Sequence, residues 1–469
     1  MEGASSMLPV YLEISNSNSS ESSQAQYLET ELSKLLPRVD LQISELDQLC
    51  IYKVPLKFRR ANPKAYTPRV VSIGPFHKPR DSDVENNNTL KPMEQRKLKY
   101  LETFLNRTKK LSMKALFLGL IEKEKKIRSC YAEPIDCSSN DFLMMILVDA
   151  CFIIEHLLRI YTGLSLTERD HLSEPWLFGD VYHDLTLLEN QLPFFVLEDI
   201  FNSAQCAGMN VEFPFKDVKD IDENCAGPIT NVHSLSILAI TFHYFRQFND
   251  HGIQPSQIPS QIDPPKHFTD LLRTFMQPSP ISQDTLKSGY LNKHIPSASQ
   301  LSEVGLKFKV RSSSCLFDLK YDHPKGVLEI PCLIVNNGTE TMFRNRLAFE
   351  QCHYILSPNV TQYLFILDCL IHTQEDVNIL IDKKIIINLL GDANDVAKMF
   401  NSLCSHVTLP FISEEYSSIC DNLIEFYENP RNKYKAIFYH EYFNTPWKKA
   451  STSAAVLLLL LTLIQTFKE

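Results

Sequence analysis

Asp149 and His156 are the two side chains in this sequence best spaced for acid–base chemistry. If residues 141–161 form one helix, the pair lies two turns apart and about 20° apart around the axis. A carboxylate orienting an imidazole could serve general acid–base catalysis. The plainer reading is a polar stripe, with Glu155 and Arg159, on a helix that is otherwise apolar and buried. Its groups would then hydrogen-bond to neighbouring elements. This second reading is the expectation, and Glu155 with Arg159 is an ordinary i, i+4 pair.

A second cluster is Leu188-Glu-Asn-Gln-Leu-Pro-Phe194. An acid and two amides precede a proline that donates no N–H and disturbs the turn before it. Amide side chains there can satisfy the freed carbonyls, so a structural role is expected. Arg344, Asn345, Arg346 and Glu350 form a polar patch on one expected helix and are read the same way. Cys369-x-x-His372 and Cys404-x-His406 each resemble half of a zinc site. A tetrahedral site needs four ligands, and no matched pair completes either half, so no metal is expected. The phosphate-loop, dinucleotide, nucleophile-elbow and H-E-x-x-H signatures are absent from the sequence. No catalytic, cofactor-binding or metal residue is assigned, and the protein is expected not to be an enzyme. The competing hypothesis is an enzyme of unknown class with a site near Asp149/His156 or in the 188–194 segment.

The elements that hold these residues follow from composition and pattern. The chain has 469 residues, 44% apolar and 22% charged, which suits a globular body with a sizeable core. A net charge of -9 disfavours nucleic acid as a partner. Only 13 glycines argue against glycine-rich phosphate loops. Twelve cysteines without a C-x-x-C pair, and no signal-peptide pattern in residues 1–26, predict reduced thiols in a cytosolic body.

Residues 1–40 are expected to be disordered or partly helical, with a short helix over Tyr27–Leu36. The body is expected over 41–447, with a proline-rich linker near 250–297 that splits the sequence without splitting the core. Helices are predicted over 92–108, 141–161, 181–191, 234–248, 267–275, 339–354, 360–372 and 376–390. Asp141 is the expected cap of the second, and Asp392 or Asn394 caps a further helix ending at Leu403. Short strands are predicted near Cys50–Val54, Val70–Ile73 and Leu306–Ile330. The fold class is mainly α (α+β): a large helical body with a small β-sheet, plus a C-terminal transmembrane helix.

The transmembrane expectation rests on residues 450–467. Ser451 to Phe467 carry no charge and, as a helix, span about 25 Å, slightly short of a ~30 Å hydrocarbon core. Trp447 suits the interface, and Lys448 and Lys449 suit the cytosolic side. The expectation is a single-pass anchor, inserted after translation into a thin bilayer, with the body in the cytosol. A lumenal or extracellular recognition domain is the alternative, and glycans on Asn337 or Asn359 would reveal it.

Seven runs, in order and spacing, resemble the plant domain-of-unknown-function family 247. They are Cys50–Pro55, Tyr66–His77, Val148–Ile154, Leu187–Phe195, Pro296–Phe308, Arg344–Gln351 and Tyr442–Trp447, followed by the apolar tail. Ala150 stands where the family commonly has glycine, and the tail stops earlier than is usual. The resemblance covers about 50–467. It implies a mostly helical, plant-restricted, often C-terminally anchored protein for which no catalytic residues are established. Some grass members are implicated in pollen–stigma self-incompatibility, which implies recognition or signalling at the family level. The expected function is thus a non-enzymatic, membrane-anchored plant protein acting through an unknown protein partner, with no cofactor.

Overall fold

The computed structural model describes residues 26–32, 48–79, 84–108, 110–164, 172, 174–211, 235–246, 264–276, 286–288, 294–313, 315–443 and 446–467. The chain divides into two units, Met1–Leu49 and Cys50–Glu469. In the first, the described residues form a short helix, α1, over 26–32. The expected disorder of the first residues, and most of the expected linker at 250–297, lie outside the described residues.

The second unit opens with α2 (Leu56–Arg59), α3 (Val84–Arg107), α4 (Met113–Ser129) and α5 (Ser139–Thr162). It continues with α6 (Pro175–Asp184), α7 (Phe194–Cys206), α8 (Ile237–Tyr244) and α9 (Phe268–Thr274). These elements enclose an apolar core running from Cys50 to Phe275. Helix α5 is its axis. Leu147 points about 140° away from both Phe142 and Phe152 around that helix, yet all three are buried. A helix with apolar residues on opposite sides must be surrounded, and each such side chain contributes about 1.5–3 kcal/mol by leaving water. Ser138, not Asp141, caps α5: its hydroxyl accepts from the Asp141 N–H, and Gly163 ends the helix at φ 74°.

A second core runs from Met276 to Ile424. Around it lie α10 (Ala298–Glu303), α11 (Thr339–Cys352), α12 (Asn359–Leu370), α13 (Gln374–Asp382), α14 (Ala393–Leu403) and α15 (Glu414–Glu428). Asp392 caps α14 through the Asn394 N–H. Among the described residues three small sheets accompany these helices. β1 (Leu286–Ser288) pairs antiparallel with β7 (Phe411–Ser413). β4 (Val327–Pro331) lies between β2 (Lys307–Arg311), parallel to it, and β3 (Lys320–Asp322), antiparallel. β5 (Leu333–Val335) pairs parallel with β6 (Ile386–Asn388). A third, smaller cluster, with Val54, Phe58, Tyr66, Leu188 and Phe349, draws on both halves of the sequence. Helices α16 (Pro430–Phe443) and α17 (Pro446–Thr466) follow.

The fold is mainly helical with little strand, and besides the α5 cap and the unexpected helix α4 it differs from expectation as follows. Of the expected strands, only the 306–330 region forms a sheet. Residues 70–73 pair with no strand, and Ile51 makes a single bridge to Tyr131. The helix expected over 181–191 ends at Asp184. There the Gln191 amide takes the Leu185 and Leu187 carbonyls, at 2.8 and 2.7 Å, which helical N–H groups would otherwise have used. The helix expected over 376–390 stops at Asp382. Lys384, at φ 60°, turns the chain back into β6.

Candidate functional site

The extended segment 69–74 accounts for two of the singled-out polar residues, Asp149 and Asn190. Its N–H groups find side chains instead of a neighbouring strand. Asp184 accepts from Arg69 and Val70 at 2.8 Å and from Val71 at 2.9 Å. Asn190 accepts from Ile73 at 2.7 Å and donates to the Val71 and Asp184 carbonyls at 3.0 Å. Asp149 accepts from the Gly74 N–H at 2.8 Å. Its other oxygen takes the Lys97 ammonium at 2.8 Å. Lys97 is 1% exposed and also donates to the Ser72 carbonyl and pairs with Glu94. Burial pushes the Asp149 carboxyl above its ordinary range, against the pull of Lys97 and the Gly74 N–H. Burial opposes the charge on Lys97, but Asp149 and Glu94 outweigh it and raise its pKa. A buried polar group without a partner would cost several kcal/mol, so this clamp fixes the course of the chain.

His156 does not join Asp149. Its Nε2 lies 3.2 Å from the Tyr244 hydroxyl, and its ring stacks on Phe152 at 5.8 Å. The acid and the imidazole face different partners, so the sequence pair is not assembled as a dyad. Glu155 binds Arg159 at 2.9 Å, as its spacing requires, and is also held by Arg107 at 2.7 and 2.9 Å.

The polar patch on α11 lies between the two cores. The Asn345 amide accepts from the Leu188 N–H at 2.9 Å and donates to the Ala65 carbonyl at 2.7 Å. Arg344 binds Glu340 at 2.7 Å and Ser402 at 2.8 Å. Arg346 donates to the Met342 carbonyl at 2.9 Å, and burial pushes its pKa down to about 9. Glu350 caps α12, accepting from the Val360 N–H at 3.0 Å and from the Thr361 N–H and hydroxyl at 2.8 and 2.9 Å. It also holds Arg273 at 2.9 Å. Beside it, His267 approaches the Cys50 carbonyl at 3.0 Å through Nε2 and accepts the Asp270 N–H at Nδ1, at 3.3 Å. Those roles fit only a neutral ring protonated on Nε2, and burial lowers its pKa to about 4.

Glu189, in the 188–194 segment, opens on a pocket of about 410 Å³, and sequence reasoning missed the residues that join it there. The pocket is lined by Lys53, Val54, Pro55, Leu56, Arg59, His77, Glu133 and Glu189. Glu189 forms its floor, at 2.5 Å from Arg59, 2.9 Å from His77 and 2.6 Å from the Val54 N–H. Lys53 and Glu133 pair at 2.7 Å on the rim. Burial works against the Glu189 charge, but His77 and Arg59 outweigh it and hold the carboxyl below its usual range. A carboxylate already neutralised by a guanidinium is a weak proton acceptor. The signal was present in the sequence: three of the seven runs, 50–55, 66–77 and 187–195, converge here. Single-helix spacing could not show it, because the partners lie over a hundred residues apart.

The zinc half-sites gain no further ligands. Among the described residues, no group of three or more His, Cys, Asp or Glu side chains could hold a metal ion. Burial raises the Cys369 thiol to about 12 and pushes Cys404 up as well.

Fold and sites together define a mainly helical body, stitched by buried polar networks, with, among the described residues, one helix long and apolar enough to cross a membrane, Pro446–Thr466. The chain belongs to DUF247, a family of plant proteins of unknown function, which it matches over residues 51–461. It is similar to the UPF0481 protein At3g47200 of Arabidopsis thaliana, with 29% identity over 92% of this chain and 88% of that one. It is also similar to the putative UPF0481 protein At3g02645 of the same plant, with 24% identity over 92% of each chain. No solved structure matches it.

Proposed function

We propose that this protein is a non-enzymatic, single-pass membrane protein whose body faces the cytosol and acts by binding another protein. The observation that supports the anchor is α17. Its residues 456–464 are Val-Leu-Leu-Leu-Leu-Leu-Thr-Leu-Ile, and no residue of the helix is buried against the body. In water so much bare apolar surface is costly, whereas in a bilayer it is the favoured surface. Lys448 and Lys449 flank it on the side of the body, which the positive-inside bias holds in the cytosol. What supports a non-enzymatic role is the employment of the polar groups: Asp149, Asp184, Asn190, Gln191 and Glu350 each satisfy main-chain atoms.

The test is carbonate extraction of membranes from plant cells expressing the full chain. The protein is expected in the carbonate-resistant pellet, without glycans on Asn337 or Asn359. Recovery of the full chain in the soluble fraction would refute the anchor, and glycosylation would refute the cytosolic body. Proximity labelling of the same tagged protein would identify the partner.

A further inference from the structure

Helix α16, between the body and α17, has two unlike faces. Asn432 and Ala436 are its half-buried side chains among those described, one turn apart on one face. That face meets the body: the Asn432 amide donates to the Phe426 carbonyl at 3.0 Å, and Ala436 stands beside Gly305. Turned away from it, by about 180°, 140° and 100° from its middle, are Tyr434, Phe438 and Tyr442, at i, i+4 and i+8. They are 73%, 56% and 51% exposed. Lys433 and Lys435 flank this aromatic face, about 100° to either side of Tyr434. Between 430 and 449 five cations stand against one acid, Glu441, in a chain of net charge -9.

A second observation sets the height of this helix. The Thr452 hydroxyl donates to the Tyr442 carbonyl at 2.9 Å. In one straight helix residues ten apart would be about 15 Å apart along the axis. The chain therefore turns sharply between α16 and α17. The turn brings the end of α16 level with Thr452, one residue into the uncharged run that starts at Ser451. If α17 crosses a bilayer, Tyr442 lies at the boundary between headgroups and hydrocarbon.

We infer that α16 lies along the surface of an anionic phospholipid membrane, with Tyr434, Phe438 and Tyr442 among the headgroups. Lys433 and Lys435 reach phosphates on either side. Aromatic rings with a polar edge favour that layer, and flanking cations add attraction to negatively charged lipid. The inference rests on the anchor reading and adds to it a second, lateral contact that holds the body at a fixed angle to the membrane.

The test uses the full chain reconstituted into vesicles of phosphatidylcholine, with or without about 30% phosphatidylserine to supply negative charge. Quenching by brominated lipid is read for the unsubstituted protein and for Tyr434→Trp. In the unsubstituted protein, quenched Trp447 emission reports the anchor, while Trp176, in the body, is the background. The indole introduced by Tyr434→Trp is expected to be quenched by about half by bromines near the glycerol backbone, and less by deeper ones. Lys433→Gln with Lys435→Gln should reduce that quenching in the anionic vesicles. An unquenched indole at 434 beside a quenched Trp447 overturns the inference and leaves the anchor standing. Equal quenching in neutral and anionic vesicles, unmoved by the lysine substitutions, overturns the role of anionic lipid. An unquenched Trp447 overturns the anchor, and this inference with it.

Discussion

Lys97 is 1% exposed and Leu459 is 65% exposed. The body and the segment from 430 to 467 thus invert the usual rule of burial in opposite ways. In the body, buried charges such as Lys97 and Glu350 have partners: Lys97 has Asp149, Glu94 and the Ser72 carbonyl, and Glu350 has Arg273 and the start of α12. In the tail, leucine after leucine faces outward with nothing laid over it. A charge can be buried when neighbouring groups replace its water. A run of leucines has no such local remedy and needs a different solvent. On the proposed reading the body is built for water, and α17 is not.

The comparison breaks first where the body's pairing is cut. Asp149→Ala leaves the Lys97 ammonium and the Gly74 N–H short of a buried partner. It should destabilise the body by about 3–5 kcal/mol, read from denaturant unfolding of the purified protein. An effect below about 1 kcal/mol would place Asp149 among residues kept for another purpose. Glu350→Ala strips Arg273 and the start of α12 together and should cost about 2–4 kcal/mol.

Acid sharpens the comparison, because the seam holds a ring that must stay neutral. The folded His267 pKa is about 4, below an ordinary 6.5. Between those values the unfolded chain binds a proton that the folded one does not. Stability should therefore fall as pH drops from about 6.5 to 4, by up to about 3 kcal/mol from this group. His267→Gln should flatten that slope in unfolding curves taken across the range, and an unchanged slope would assign it to other groups. The smallest expected effect is at Gly74, whose φ is +70° and where an added Cβ would meet the Gln191 carbonyl oxygen at 2.8 Å. Gly74→Ala should cost about 1–3 kcal/mol in thermal melts.

Much of this was legible in the sequence because it was local. The largely apolar helix expected over 141–161, the Asp392 cap and the exposed apolar tail each follow from residues within a few turns of one another. The 188–194 segment declared a structural task through its amides and proline, and Gln191 performs it on Leu185 and Leu187. What escaped was the non-local half. Residues 70–73 have the alternating, β-branched look of a strand, but a strand also needs a partner. Here Asp184, Asn190 and Asp149 take that place from helices and turns far along the chain. His77 and Arg59 met Glu189 for the same reason: no periodicity links positions more than a hundred residues apart. Asp149 and His156 hydrogen-bond to neighbouring elements, as the plainer reading expected, since nearness on a helical wheel does not bring two side chains to a common partner.

If α17 belongs to the bilayer and not to the body, the fold must be indifferent to it. The direct measurement is the thermal midpoint of the chain truncated after Trp447, beside that of the full chain in detergent. No residue of α17 is buried, so the truncated body should stay soluble and melt within about 2 °C of the full chain. A midpoint lower by more than about 5 °C, or loss of a cooperative transition, would show that α17 packs on the body and contradict the membrane assignment.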